Sequence, residues 1–463
     1  MNEQNKKMEL LGIAPIPKAL LAMGIPTMIG MMISAIYNLV DAYFVGGLGT
    51  SQMGAISVTF PLSQVIVGLG LLFGNGAASY ISRLLGHGER EKANKVASTA
   101  LYSSIIVGVI FIVLTVIFLL PLMKLLGATD SILPYAMTYA RIFIVASILN
   151  IFNVTMNNII TSEGAAKTSM LAMLSGAVLN MILDPIFISV LGLGVAGAAI
   201  ASAIGQAVTS AIFLLYILRK KSIFNFHISE CSFEKETMSE ILKIGIPTLI
   251  FQVLTSLSIT FINTQAKALI ATHSKAYVDS VIAGMGAVTR VVSMGSLMVF
   301  GFIKGFQPIA GYSYGAKKFD RLQNAIKTSV LWSTIFCVVF GLLLSIFSTS
   351  IVSQFTGGDM DMINIGAKSL RANGLSFMLF GFYTVYSSLF LALGKGKEGF
   401  FLGACRQGIC FIPVILLLPL ICGTNGILYA QAIADVLSAI ITVFMAIHLH
   451  KNLKKMQNKL LSA

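Results

Sequence analysis

Twelve apolar runs, each long enough to cross a bilayer, dominate the chain and leave room for hardly any other architecture. They cover residues 18–44, 53–82, 97–121, 132–161, 168–190, 195–218, 244–270, 281–311, 328–352, 364–393, 399–422 and 426–449. A helix needs roughly 20 apolar residues to span the hydrocarbon core. Backbone groups in lipid must satisfy one another, so runs of this length form helices. Of the 463 residues 56% are hydrophobic and only 11% charged, against roughly 25% charged in soluble domains. A soluble fold is excluded.

The net charge of +14 marks a membrane face rather than a nucleic-acid site. Lys6, Lys7 and Lys18 precede the first run, Arg83, Arg90, Lys92 and Lys95 follow the second, and Arg219, Lys220, Lys221, Lys235 and Lys243 occupy the central loop. Lys317, Lys318, Arg321 and Lys327, then Lys395, Lys397 and Arg406, then Lys451, Lys454, Lys455 and Lys459 continue on alternate connections. Basic residues gather on the cytoplasmic side, which places both termini there. Residues 1–17 read as a polar cytoplasmic segment rather than a signal peptide, and 450–463 as a basic cytoplasmic tail.

The chain repeats itself. Gly24-Ile25-Pro26-Thr27 returns as Gly245-Ile246-Pro247-Thr248, Gly86 as Gly315, Arg141 as Arg371, Gly164 as Gly394, and Gly194-x-x-Gly197-x-x-x-Ala201 as Gly423-x-x-Gly426-x-x-x-Ala430. Each half holds six spans, so both enter with the same orientation and are related by a pseudo-two-fold along the membrane normal. The expected fold is an all-α integral membrane protein of twelve transmembrane helices in two six-helix lobes, 18–218 and 244–449, joined by a cytoplasmic inter-lobe loop at 219–243.

Asp41 and Asp184 lie inside apolar runs of the first half, and the second half has no counterparts. Ionisable groups at membrane depth are costly and usually handle ions or protons. Tyr37 lies four residues before Asp41 and Asn180 four before Asp184, so each pair shares a helix face. Pro185 cannot donate its N–H, which frees the Met181 carbonyl and favours a kink. Two acids close together in low dielectric repel one another, which favours a bound proton or cation. The competing reading makes each aspartate a structural hydrogen-bonder at a kink. Asp435, whose repeat counterpart is Gln206, reads as a solvated or interhelical hydrogen-bonding group, with a coupling role as the alternative. Met28, Met31, Met32, Met156, Met173 and Met181 crowd the first half, and flexible thioethers suit a surface that accepts many ligand shapes, although methionine is also ordinary core filler.

Gly70, Gly74 and Gly76 lack the strand before and the Gly-Lys-Ser/Thr after that a nucleotide loop needs. No ATPase subunit, nucleic acid or soluble cofactor is implied, and no clustered nucleophile and base marks an enzyme.

The chain resembles the multidrug and toxic compound extrusion (MATE) family, specifically its DinF-like branch. The resemblance rests on Ile25-Pro26-Thr27-Met28-Ile29-Gly30 leading to Tyr37-Asn38-Leu39-x-Asp41, on Tyr139-Ala140-Arg141, on Leu179-Asn180-x-x-Leu183-Asp184-Pro185-Ile186-Phe187-Ile188, and on Gly192-x-Gly194-Val195-x-Gly197-Ala198-Ala199. It implies two six-helix lobes forming a V and export of amphipathic, often cationic drugs across the cytoplasmic membrane, by alternating access and antiport with H+ or Na+. It also implies a cation site at Asp41, Asn180 and Asp184, which would hold the metal ion if the coupling ion is Na+, with Tyr139, Asn157 and Ser202 as polar neighbours. Span one would bend near Pro26, where the missing hydrogen bond and nearby glycines soften the helix; a static kink is the alternative. The other functional reading is a flippase for a lipid-linked oligosaccharide, since related two-lobed folds do that work.

Overall fold

The computed structural model describes residues 3–268, 274–355 and 359–461. Among them there are only helices and connections. The first half comprises α1 (Glu3–Gly12), α2 (Ile16–Gly46), α3 (Thr50–His87), α4 (Arg90–Ile117), α5 (Leu119–Leu125), α6 (Leu133–Ser162), α7 (Ala166–Pro185) and α8 (Gly194–Leu218). The second comprises α9 (Lys235–Ala268), α10 (Lys275–Gly315), α11 (Phe319–Ile346), α12 (Ser348–Ser353), α13 (Met360–Phe377), α14 (Phe380–Ala392), α15 (Gly396–Ala404), α16 (Phe411–Cys422) and α17 (Thr424–Leu461). Among the described residues eleven helical segments are long and apolar enough to cross a membrane, α15 and α16 counting as one through the turn between them, and α13 with α14, taken as one span bent by 53°, makes a twelfth. The sequence reads 364–393 as one run because no proline interrupts it. The bend follows from packing: Gly374 and Gly381 flank the break, and each brings its backbone against α11, where an added Cβ would lie 2.7 Å from the Gly341 oxygen and 2.6 Å from that of Ser333. Asp359 starts α13 by accepting from the N–H groups of Asp361 and Met362 at 3.0 and 3.1 Å. A hydrogen bond from Ser280 at 2.6 Å is the main cause holding this carboxyl below its usual range, with the Met362 N–H next.

Apolar residues cover every side of these helices, as a bilayer requires. On α4, Ile106, Val109, Ile110, Val113, Leu114 and Ile117 all point outward. The interior of the first half is built from Leu72, Phe73 and Ile81 of α3, Met156 and Ile160 of α6, and Phe213 of α8.

The chain divides into two compact units. The first is Met1–Gln252 with Lys304–Lys317 and Ala392–Gly394; the second holds Val253–Ile303, Lys318–Leu391 and Lys395–Ala463. The first unit thus contains repeat-related segments that touch reciprocally. A Cβ on Gly245 of α9 would lie 1.9 Å from the Leu72 oxygen of α3, and one on Gly76 of α3 would lie 2.3 Å from the Ile241 oxygen of α9. Where α3 meets α10, a Cβ on Gly86 would lie 2.2 Å from the Tyr312 oxygen, and one on Gly315 2.1 Å from that of Arg83. Gly305 of α10 approaches Gly24 of α2 as closely, with its Cβ position 2.4 Å from the Gly24 nitrogen. Glycine lets membrane helices approach backbone to backbone. Gly245→Ala is therefore expected to force α9 off α3 and cost about 1–3 kcal/mol. Thermal unfolding in detergent measures this, and an unchanged midpoint would show that the crossing yields without strain.

Two segments depart from the sequence reading. Residues 3–12, expected as a polar lead-in, form α1, and Lys7 is buried rather than part of a basic flank. Its ammonium donates to Glu163 Oε1 at 2.9 Å, to the Lys221 carbonyl at 2.7 Å and to the Tyr216 hydroxyl. Glu163, fully buried at the end of α6, also accepts from the Tyr216 hydroxyl, from Ser222 Oγ at 2.8 Å and from the Ile223 N–H at 2.8 Å. The turn that frees Glu163 needs the next residue at φ +92°, which explains Gly164; its repeat mate Gly394 takes φ +77°. The central connection is irregular only over 219–234, because α9 already starts at Lys235. It is docked in the first unit's core: Phe224 and Phe226 are buried, the Phe226 carbonyl accepts from Tyr102, and the Asn225 N–H donates to Asn94.

Candidate functional site

Helix contacts inside the first unit draw the two aspartates of the apolar runs together. α7 and α8 meet at reciprocal glycines, with the Cβ position of Gly176 2.5 Å from the Gly205 oxygen and that of Gly205 2.7 Å from the Gly176 oxygen. At this spacing Asn180 Nδ2 on α7 donates to Ser202 Oγ on α8 at 3.3 Å and, one turn along its own helix, to Asp184 Oδ1 at 3.3 Å. α2 packs against α7, with Gly30 placing its Cβ position 3.5 Å from the sulfur of Met173. Along α2, Tyr37 and Asp41 follow on one face. From α6 comes Tyr139, buried and stacked on Phe143 with ring centroids 5.5 Å apart. Tyr37 and Tyr139 both lie within Coulombic reach of Asp41 and Asp184, and Asp184 within reach of Asp41.

At Pro185, which has no N–H to donate, the α-helical winding changes. The α-helix ends at Pro185 and Ile186–Val190 winds as a π-helix, with the Leu191 N–H reaching the Ile186 carbonyl at 2.8 Å. Wider turns of this kind recur beside functional groups. Asp184 itself is completely enclosed and Asn180 nearly so. In α2, Pro26 deprives the helix of one donor, and the Thr27 hydroxyl donates back to the Met23 and Gly24 carbonyls at 2.9 and 3.0 Å.

Among the described residues no cationic side chain forms an ion pair with either aspartate. Asp41 Oδ1, Asp184 Oδ2 and Asn180 Oδ1 are shut off from solvent and, among the described residues, accept no hydrogen bond. Buried acceptors of this kind are rare and call for an explanation. No group of three His, Cys, Asp or Glu side chains comes together among the described residues. The donor set is two carboxylates and neutral oxygens, hard ligands that suit a proton or an alkali cation rather than a transition metal.

Six of the residues nominated from sequence, Tyr37, Asp41, Tyr139, Asn180, Asp184 and Ser202, belong to this constellation. Asn157 stands apart: it is half-buried on α6, its carbonyl accepts from Thr161 and Ser169, and among the described residues its amide makes no hydrogen bond to the cluster. Of the methionines, Met28, Met31, Met173 and Met181 are partly exposed on α2 and α7, Met32 is exposed, and Met156 is fully enclosed in the core. Arg141, Arg290 and Arg371 are exposed, and Arg371 donates to Ser348 at 3.5 Å.

One residue is corrected outright. Arg406, read from sequence as part of a basic loop, is buried in a π-helical turn, Cys405–Ile409, where its Nε donates to Asp435 Oδ1 at 2.8 Å. Asp435 is an interhelical hydrogen-bonding group as expected, but one paired with a cation.

A family model described as MatE matches residues 26–186 and 268–417. The chain is 31% identical over 428 residues to the multidrug export protein MepA of Staphylococcus aureus strain MSSA476, covering 92% of each chain. It is 32% identical over 426 residues to the protein of the same name from Staphylococcus saprophyticus, covering 91% of this chain and 92% of that one. Its structure is similar to the crystal structure of a MATE protein in complex with MaL6, with a TM-score of 0.91 and 26% identity, covering 97% of this chain and 99% of the other.

Proposed function

The chain belongs to the MatE family, and from that premise we propose that it is a multidrug exporter of the cell membrane driven by cation/drug antiport, with Asp41 and Asp184 as the coupling groups. The observation that carries this reading is that carboxylates on α2 and α7, near enough for the charge of one to act on the other, each keep a solvent-shielded oxygen, and that among the described residues no cationic side chain is paired with either. Such a pair binds a proton or Na+ because the cation relieves like-charge repulsion in a low dielectric. The MepA relatives are named as multidrug export proteins, which supports drugs as the cargo.

The exporter binds an amphipathic, often cationic compound from the cytoplasm or inner leaflet, with both termini on the cytoplasmic side. The partly exposed methionines of α2 and α7 offer an adaptable apolar surface for it. Asn180, bonded to Ser202, orients Asp184; Tyr37 and Tyr139 stand near the carboxylates as further neutral oxygens. Entry of a cation from outside neutralises the pair and lets α2 bend where Pro26 has already removed a hydrogen bond. The drug's surface loosens and the protein returns to face inward. Net export then follows from different affinities in two states.

The test follows efflux of a fluorescent cationic dye from liposomes under an imposed proton gradient, then a sodium gradient, with the wild type and Asp41→Asn. Gradient-driven efflux by the wild type and its loss in the variant are expected, and the active gradient identifies the ion. Failure of the wild type under both gradients would reject antiport and favour the lipid-linked oligosaccharide flippase.

A further inference from the structure

The second unit has a buried acid of its own, and every oxygen of it is engaged. Asp435 Oδ1 accepts from Arg406 Nε at 2.8 Å and from Gln431 Nε2 at 2.8 Å, and Oδ2 accepts from Ser376 Oγ at 3.2 Å. The side chains of Arg406 and Asp435 are 8% and 5% exposed. The guanidinium also lies over the Phe380 ring, 4.6 Å from its centroid. Tyr383, Leu379 and Ser438 complete the walls.

This arrangement invites comparison with the one in the first unit, although its acid stands on the last span rather than the one before it. The register that aligns Gln206 with Asp435 also aligns Ser202 with Gln431. Ser202 on the sixth span bonds Asn180, which bonds Asp184 on the fifth; Gln431 on the twelfth span bonds Asp435, which bonds Arg406 on the eleventh. Each half thus buries a carboxylate where its last two spans touch, and a π-helical turn closes the fifth span while another lies within the eleventh. The difference lies in the counter-charge. Among the described residues Asp184 has none and keeps an unsatisfied oxygen, whereas Asp435 has a guanidinium bonded to it.

We propose that Arg406 is a tethered counter-cation: it supplies to Asp435 permanently the charge that a mobile cation supplies to Asp41 and Asp184 transiently, and so confines ion coupling to the first unit. The inference rests on the antiport reading above. A buried pair of this kind is strongly destabilised when only one partner is removed, because the other is left as an uncompensated charge. Without Arg406, Asp435 would have to take its positive charge from solution as a proton or a metal cation, and the transporter would gain a second ion site.

Dicyclohexylcarbodiimide attaches to protonated carboxyls in apolar surroundings, and mass spectrometry of the full-length protein locates the adducts. Label on Asp41 or Asp184 and none on Asp435 is expected in the wild type. Arg406→Gln should gain label at Asp435, and Arg406→Lys should not. Label on Asp435 in the wild type to the same extent as in Arg406→Gln, or none in a folded Arg406→Gln protein, would overturn the proposal. Absence of label from both Asp41 and Asp184 would count against the antiport reading while leaving the Asp435 comparison readable. The double variant Arg406→Gln, Asp435→Asn buries no charge and covers the case in which the single variant does not fold. It should export dye at the wild-type rate with the same ion dependence; a folded double variant that has lost gradient-driven efflux would show that the pair takes part in coupling and would sink the idea.

Discussion

Asp184→Asn is expected to reach the membrane and fold as the wild type does, bind drug, and export it no faster than the leak of empty liposomes. The amide has the shape of the carboxylate and keeps an oxygen for the Asn180 contact, so the α7–α8 packing at Gly176 and Gly205 has no reason to change. What disappears is one of two negative charges, and with it the repulsion that makes cation binding favourable. Coupling free energies are typically about 1–3 kcal/mol, equivalent to a change of roughly 5- to 150-fold in affinity. Drug affinity in the wild type should therefore depend on the coupling cation within that range, and in the variant it should not. Titrating a fluorescent substrate with and without the cation measures this. A variant that retains the cation dependence and transports at the wild-type rate would remove Asp184 from the mechanism.

Glu163→Leu should produce the largest loss of stability in the molecule without touching the carboxylate pair. Glu163 is the common acceptor for Lys7, Tyr216, Ser222 and the Ile223 backbone, and it is fully buried. Removing one member of a buried ion pair costs about 3–5 kcal/mol, because the remaining charge is stranded. Thermal unfolding in detergent should show a correspondingly lower midpoint, and adding Lys7→Met should restore part of it by removing the stranded ammonium. A loss below about 1 kcal/mol, the range of an exposed pair, would mean that α1 detaches and carries Lys7 into water.

The parts of this architecture that were legible in the sequence are those set by the solvent. Run lengths of apolar residues reveal the spans because lipid leaves the backbone no alternative. Asp41 and Asp184 stand out because a carboxylate in such a run needs a reason, and the end of the α-helical winding at Pro185 falls where an N–H is missing. Features set by tertiary partners were hidden. Arg406 looks like the lysines beside it in the chain, and only contact with Asp435 on α17 distinguishes a buried counter-charge from a cytoplasmic flank. Lys7 lies in the polar stretch before the first span and Glu163 just past the end of α6, where charges are ordinarily solvated, and nothing local says that they meet. Phe224 and Phe226 were the readable hint that the central loop is docked, since two aromatics in a polar connection seek a core. The break between α13 and α14 has no local breaker; its cause lies in α11.

The first unit is discontinuous in the chain: besides Met1–Gln252 it takes in Lys304–Lys317 and Ala392–Gly394. Gly394 rests on the Arg83 guanidinium, Gly315 on the Arg83 backbone and Gly245 on Leu72. A chain that leaves the ribosome from its N-terminal end therefore cannot finish this unit when its sixth span is inserted. The α3 face at Gly76 meets its partner once α9 is made, that at Gly86 once α10 is made, and the Arg83 guanidinium only once residue 394 has been synthesised. Translation speed through the second half, and any chaperone that shields those faces, should thus set how much of the protein matures.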